Sequence, residues 1–196
     1  MVYKRLEHFI KKKLYDKQLV YFSLFAIITI PLSTYILATN GSPFEYTLSM
    51  IGNKLWHRIE FIIWGIIMWT MLSFYILRLY LLGSFKNKKA RKLLFRWIIS
   101  LILTVIIPAT NNFPIGKQLH LITAIIFAIC LITSLYLFTT ALQNHNKKAY
   151  RRSIWLFYTI IWWSLIMLFI FGNTGIFELF FFTMLTIFLI VVRQKI

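Results

Sequence analysis

The sequence contains a single cysteine, Cys130, and only five acidic residues among 196. One cysteine excludes a disulfide framework within the chain and also a thiolate cluster for a metal ion. Because Cys130 lies inside an apolar run, we expect a buried structural thiol. The scarcity of acids leaves a formal net charge of +17, so the placement of the 22 lysines and arginines decides which partners are expected.

The sequence also lacks any stretch long and polar enough to form a second, soluble domain. Its residues are 60% hydrophobic and 18% aromatic. This apolar fraction is larger than soluble globular proteins usually contain in core and surface together. The basic residues lie in short islands between apolar runs, which is typical of membrane topology and not of a nucleic-acid-binding patch. We therefore expect a multi-pass protein of the cell membrane, with membrane lipids and not nucleic acid as partners.

Six apolar runs predict the fold. A helix needs about 17 to 25 residues to cross the hydrocarbon core, and backbone groups there must bond within their own segment. The sequence predicts an all-α fold with six transmembrane helices, at residues 19–38, 61–82, 93–107, 119–142, 154–171 and 176–192. A basic N-terminal arm (1–18) precedes this transmembrane domain (19–192), and a short tail (193–196) follows it. The first run lacks a convincing cleavage site, so we interpret it as a retained span.

The lysines and arginines set the expected orientation. Four segments hold most of them, namely the N-terminal arm, the second-to-third connection, the fourth-to-fifth connection and the C-terminus. Lysine and arginine are enriched on cytoplasmic loops, so these segments and both termini are predicted to be cytoplasmic. Only Lys54, Arg58 and Lys117 are left for the outer side.

The third run is short. From 93 to 107 it has 15 residues, about 22 Å of helix against roughly 30 Å of hydrocarbon. Pro108 then ends the helix, so the loop that follows is predicted to lie below the outer surface. Irregular backbone at that depth needs protein or a watery cavity around it. This suggests a polar concavity in the outer half of the bundle, floored by Asn111 and Asn112.

Polar residues from distant parts of the sequence reach the same outer level. The candidate headgroup-binding residues are Asn53, Arg58, Glu60, Asn111, Asn112, His120 and Glu178. Glu178 lies in the first turn of span six, where a carboxylate is favoured by the helix dipole and by unpaired amides. An alternative is that it points inward and pairs with Arg58, Lys117 or a protonated His120. Glu60 has the same two possible roles, stabilising the start of its helix or pairing inside the bundle. His120 is either a ligand-binding or a hydrogen-bonded structural histidine.

Motifs for catalysis and metal binding are missing. The sequence has no His-Glu-x-x-His spacing, no Gly-x-Ser-x-Gly elbow and no phosphate-binding loop. We therefore predict no catalytic residue, no metal and no cofactor. A membrane-embedded hydrolase or transferase, with Glu178 or Glu60 as base and His120 as acid, stays an alternative hypothesis.

Several short motifs carry a family resemblance. They are Ser49-Met50-Ile51-Gly52-Asn53, Phe113-Pro114, His120 with Ala124 and Phe127, and Gly175 with Glu178. With these motifs the chain resembles a bacterial six-helix membrane family, domain of unknown function 998, which is similar to the DRAM, Frag and Sfk proteins. The resemblance implies a six-helix membrane fold and an association with lipid handling and membrane regulation.

Two functional hypotheses from different classes follow. In the first, a non-enzymatic membrane protein binds a lipid or lipid-linked headgroup in an outer-leaflet pocket, in lipid transport or membrane regulation. Glu60, His120 and Glu178 would orient the headgroup there, above apolar walls. In the second, the chain is an accessory or structural subunit that packs against a membrane-protein partner through small residues such as Gly65 and Ser73. The oligomeric state stays open.

Overall fold

The structure is a computed structural model that describes residues 2–54, 57–82, 85, 87–110, 113–144 and 147–193. Side chains are described from residue 17 onward, except at 54, 144 and 149 within these ranges.

These residues form helices and connecting loops, and no strand occurs among them. The helices are α1 (Val2–Ala38), α2 (Leu48–Lys54), α3 (Arg58–Leu82), α4 (Lys88–Ile106), α5 (Pro114–Ala141), α6 (Lys147–Phe171) and α7 (Gly175–Arg193), with a 3-10 turn at Leu142–Asn144. Five segments are long and apolar enough to cross a membrane, at Lys17–Ala38, Arg58–Leu82, Pro114–Ala141, Tyr150–Phe171 and Gly175–Arg193. The predicted all-α fold is confirmed, and these five helices have the character of a multi-pass membrane protein.

Each of the six predicted runs coincides with a helix, but several helices begin earlier than hydropathy suggested. The N-terminal arm continues into the first span as one helix, α1. Helix α4 has 19 residues and begins with its cationic turns, because the side chain of Asn87 accepts the amides of Lys89 and Ala90 as an N-cap. The short helix α2 was not predicted.

The six long helices form a ring. Each contacts its neighbour in the order α1, α3, α4, α5, α6 and α7, and α7 returns to α1. Neighbours run antiparallel, as shown where α1 meets α3: Thr34 bonds Trp64, whereas the earlier Ser23 bonds the later Tyr75. The connections from α3 through α7 are short and favour this arrangement, whereas α1 and α3 are joined through α2. The C-terminal ends of α1, α4 and α6 therefore lie with the N-terminal ends of α3, α5 and α7. We call this the cavity end, after the cavity described below.

The opposite end, which we call the basic end, is held by buried polar contacts between helices. The Tyr80 hydroxyl of α3 lies 2.5 Å from the Ser134 hydroxyl of α5. Ser134 in turn donates to the carbonyl of Ala90 in α4 at 3.3 Å. Such hydrogen bonds hold helices together where apolar burial against lipid provides no driving force.

Close backbone approach brings α3 and α4 together nearer the cavity end. Gly65 of α3 faces the side chain of Val105 in α4, and a methyl group at Gly65 would overlap it. Two helices that approach this closely form one wall of the space described next.

Candidate functional site

A cavity of about 630 Å³ lies at the cavity end of the ring. Among the lining residues that the structure describes, α2, α3, α4, α5 and α7 contribute, whereas α1 and α6 do not. Its polar lining comes from two sides. The α2 and α7 side provides Thr47, Ser49, Asn173 and Glu178, and the α4 and α5 side provides Thr104, Lys117, Gln118 and His120.

Aromatic and aliphatic side chains form the rest of the cavity wall. The Trp64 ring stacks on Phe61 at 5.6 Å between centroids and meets the Phe182 ring edge-on at 5.4 Å. The Trp64 indole N–H donates to the Thr34 hydroxyl at 3.0 Å, which fixes the ring and satisfies its polar atom. With Phe127 on the α5 side, these rings make a rigid apolar wall next to the polar groups.

The N-terminus of α7 is bonded to the segment that leads into α2. The backbone N–H of Gly175 donates to the Tyr46 carbonyl at 2.7 Å, and that of Ile176 donates to the Pro43 carbonyl at 2.8 Å. A side chain at Gly175 would place its Cβ only 3.0 Å from the Tyr46 oxygen, so glycine permits this approach. The first turn of α7 is thereby fixed against residues 43–46.

Glu178 completes this junction. Its side chain is partly buried, and its Oε2 atom accepts the backbone N–H of Leu48, the first residue of α2, at 2.7 Å. The amide of Met50 donates to the Thr47 hydroxyl at 3.0 Å, so two acceptors satisfy the free amides at the start of α2. The sequence suggested that Glu178 stabilises the N-terminus of its own helix, α7. In the structure its carboxylate stabilises the N-terminus of α2.

His120 is a hydrogen-bonded histidine, as one of the two alternatives expected, and it also lines the cavity. The ring is buried and lines the cavity. Its Nδ1 atom lies 3.2 Å from the Ile107 carbonyl, and because a carbonyl only accepts, Nδ1 carries the proton. The carbonyl of His120 accepts the Thr123 hydroxyl at 2.9 Å, and that hydroxyl lies 3.0 Å from the one of Thr104. The end of α4 and the start of α5 are joined by these contacts.

Asn53 and Arg58 form a separate cluster beside the cavity. The Arg58 guanidinium donates to Asn53 Oδ1 at 2.8 Å and to the Ile106 carbonyl at 2.6 Å, and it lies over the Phe61 ring at 5.8 Å. The cluster joins the ends of α2 and α4 to the start of α3. Arg58 was one expected partner of Glu178, and the structure places it on these acceptors instead.

Glu60 does not line the cavity among the residues that the structure describes. Its side chain is 51% exposed, and its Oε1 atom lies 3.3 Å from His57 Nδ1. The inward stripe of α3 passes through Phe61, Trp64 and Met68, and each residue turns the helix by about 100°, so Glu60 falls at the edge of that stripe. The structure therefore separates Glu60 from His120 and Glu178, with which the sequence grouped it. Asn111 and Asn112 lie outside the described residues.

Several lining residues were not identified from the sequence. Thr47 and Ser49 belong to α2, a helix too short and too mixed in polarity for periodicity to reveal. Phe182 lies four residues after Glu178 and so shares its helical face, a spacing that could have identified it. As for metal binding, no three His, Cys, Asp or Glu side chains group together within the described ranges.

We compared the chain with protein-family models, curated proteins and solved structures, and none of the three comparisons gives a match. The resemblance to the six-helix family thus stays a prediction.

Proposed function

We propose that this chain is a six-span protein of the cell membrane, with both termini in the cytoplasm, that binds a lipid in the cavity between its helices. Helix α4 would be the sixth span. It contacts α3 on one side and α5 on the other within the ring. Its 19 residues give about 28 Å of helix, but the first turns carry cations and lie at the interface, so its apolar part is shorter than the roughly 30 Å of hydrocarbon.

The distribution of charge supports the orientation. Cations are concentrated at the basic end, at Lys88, Lys89, Arg91, Lys92 and Arg96 of α4 and at Lys147, Lys148, Arg151 and Arg152 of α6. Since lysine and arginine mark cytoplasmic segments, the basic end is the inner one and the cavity lies in the outer leaflet.

The cavity itself is the observation that carries the lipid proposal. At about 630 Å³ it falls within the usual range for sites that bind small molecules. Its charged and hydroxyl groups come mainly from helix ends at the cavity end, whereas its aromatic wall of Trp64, Phe127 and Phe182 lies further along the helices. A polar rim above an apolar wall matches a molecule with a headgroup and an acyl chain.

Access from the bilayer is available on the α5 side. Leu121 lines the cavity and is also 56% exposed, and the neighbouring Ile122 and Ile125 are exposed apolar residues. The cavity therefore extends toward an apolar surface that membrane lipid would cover. A lipid that enters from the bilayer on this side would keep its acyl chain in hydrocarbon. Such entry suits a protein that transports a membrane lipid or is regulated by one. The resemblance to proteins of lipid handling agrees with such a role.

Native mass spectrometry of gently extracted protein tests the proposal. Ala124 lines the cavity, so Ala124→Trp fills it, whereas Ile125→Trp adds the same ring on the exposed face one residue away. We expect copurified lipid to be lost from Ala124→Trp and retained by Ile125→Trp, with both variants checked for thermal unfolding. Equal lipid retention by both folded variants, or no lipid on the wild type, contradicts the proposal.

A second candidate function rests on α6. Its described face is exposed along most of its length, with Trp155 at 73% and Phe169 at 91% exposure. Such a face suits an accessory subunit that packs against a membrane-protein partner. A stoichiometric protein that copurifies in mild detergent and is lost on Trp162→Ala favours this function over lipid binding.

A further inference from the structure

The cavity contains two charged side chains of opposite sign. Glu178 is the fourth residue of α7 and Lys117 is the fourth residue of α5. Both lie in the first turn of a helix that begins at the cavity end, and both line the cavity. Apart from His120, they are the charged or titratable side chains among the lining residues that the structure describes. A ligand that complements both must carry a positive and a negative group.

The surroundings of Glu178 suit the positive group. Phe182 lies one turn below Glu178 on the same face of α7, and the Trp64 and Phe61 rings continue the surface from there. Aromatic faces attract organic cations through their quadrupole, and a carboxylate in the same cavity adds to this attraction. A carboxylate that lines the same cavity as three aromatic rings is the chemistry that binds an alkylammonium group.

Glu178 keeps acceptor capacity for such a group. Its bond to Leu48 uses Oε2, and a carboxylate has two oxygens with about four lone-pair positions. A ligand ammonium can therefore bind Glu178 without displacing α2. Lys117 is a compact ammonium on a flexible stem, a common phosphate-binding group, and Gln118 beside it adds an amide donor.

We propose that the cavity selects phospholipids with a zwitterionic headgroup, with the ammonium at Glu178, Trp64 and Phe182 and the phosphate at Lys117. This inference rests on the proposed lipid-binding function and adds the charge class of the headgroup. The acyl chains pass along Phe127 and Leu121 toward the exposed side of α5. Primary and quaternary ammonium headgroups share the required chemistry, whereas a glycerol headgroup lacks the cation.

Lipid competition tests the inference. Purified full-length protein is mixed with equimolar phosphatidylethanolamine, phosphatidylcholine and phosphatidylglycerol with identical acyl chains, and the bound lipid is read by native mass spectrometry. We expect one or both zwitterionic lipids to exceed phosphatidylglycerol by about tenfold, the scale of a desolvated cation contact.

Two variants separate the two ends of the headgroup. Glu178→Gln removes the charge but keeps an amide oxygen for the Leu48 N–H, so α2 stays in place and the preference over phosphatidylglycerol should fall about tenfold. Lys117→Gln should weaken retention of all three phospholipids alike, because each carries a phosphate. Glu60→Gln is the matched control, an exposed acid at the same end, and should change nothing.

The outcomes distinguish this inference from the proposed function. Equal retention of the three lipids, or an unchanged preference in Glu178→Gln, overturns the headgroup class. If the three lipids are retained equally and Ala124→Trp abolishes this retention, the proposal that the cavity binds lipid is still supported. If Ala124→Trp retains lipid as well as wild type, both proposals are wrong.

Discussion

The carboxylate of Glu178 accepts the backbone N–H of Leu48 at 2.7 Å and so joins α7 to α2 across 130 residues of sequence. Residues Thr47 to Met50 line the cavity, so the position of this short helix determines the shape of the polar rim. The backbone bonds of Gly175 and Ile176 to residues 43–46 lie beside this contact. Placement of α2 thus depends on the first turn of α7 as well as on α3, against which α2 packs.

Removal of the Glu178 acceptor should loosen α2. We expect Glu178→Ala to leave the Leu48 amide without a partner, at a cost of about 1.5–3 kcal/mol for a hydrogen bond to a charged group. Hydrogen exchange of a peptide covering 47–54 should then become at least about tenfold faster. Glu178→Gln should exchange more slowly than the alanine variant, since its amide oxygen still accepts a neutral hydrogen bond from the Leu48 N–H. Equal exchange in the alanine variant would show that α2 is held by other contacts.

Close packing of α3 on α4 predicts a substitution that destabilises and a second that rescues. Gly65→Ala places a methyl group against Val105, and overpacking of this kind costs about 1–3 kcal/mol. Thermal unfolding in detergent should show a lower Tm. Val105→Ala makes room, so the double variant should lose less stability than the two single effects add up to. Ile66→Ala, on the exposed face next to Gly65, serves as control.

Removing one hydroxyl from the buried cluster at the basic end should lower the stability of the protein modestly. Tyr80→Phe removes the hydroxyl that contacts Ser134, and interhelical hydrogen bonds in membrane proteins contribute about 0.6 kcal/mol and at most about 1.7. Ser134→Ala should cost a similar amount, because each hydroxyl makes one further bond, Tyr80 to the Ser134 carbonyl and Ser134 to the Ala90 carbonyl. Tyr21→Phe makes the same change on a side chain that is 73% exposed and should leave the Tm unchanged. A Tyr80→Phe variant as stable as Tyr21→Phe would mean that the cluster adds nothing.

Cysteine labelling tests the orientation. The native Cys130 is buried, so it should not react with a membrane-impermeant maleimide. Single cysteines at the exposed positions Glu60 and Asn173 should be labelled from outside intact cells. Cysteines at Lys88 and Lys147, which are also exposed, should react only after the membrane is permeabilised. Labelling of Lys88→Cys from outside would reverse the orientation and place the cavity in the inner leaflet.

Hydropathy located the C-terminal ends of the six long helices to within one residue and several of their starts less well, including that of α5, which begins at Pro114 and not at 119. The predicted ends at residues 38 and 171 coincide with those of α1 and α6, and the predicted starts at 61 and 176 lie close to those of α3 and α7. By contrast, α1, α4 and α6 begin at Val2, Lys88 and Lys147, before the predicted 19, 93 and 154. Lysine and arginine favour helix formation, so a helix continues where its apolar character stops.

The sequence predicted at which end of the bundle the site residues lie, but not which of them contact one another. Antiparallel order alone brings Glu60, His120 and Glu178 to one end, as the sequence suggested. Which of them faces the interior depends on rotation about each helix axis, and Glu60 falls at the edge of the inward stripe through Phe61 and Trp64. The Glu178 partner is a backbone amide of an unpredicted helix, and such a partner leaves no pattern in side-chain spacing.

Helix α1 is longer than a bilayer is thick. Its 37 residues extend about 55 Å, whereas hydrocarbon occupies about 30 Å. The surplus belongs to the amino-terminal half, whose sequence contains Lys4, Arg5, Lys11, Lys12 and Lys13. One helix therefore carries a cluster of fixed charge at one end and, beyond Pro31, the Thr34 hydroxyl that orients the Trp64 ring. Pro31 removes one backbone hydrogen bond between these two ends, so α1 bends more easily there and the orientation of the basic half is partly decoupled from that of Thr34.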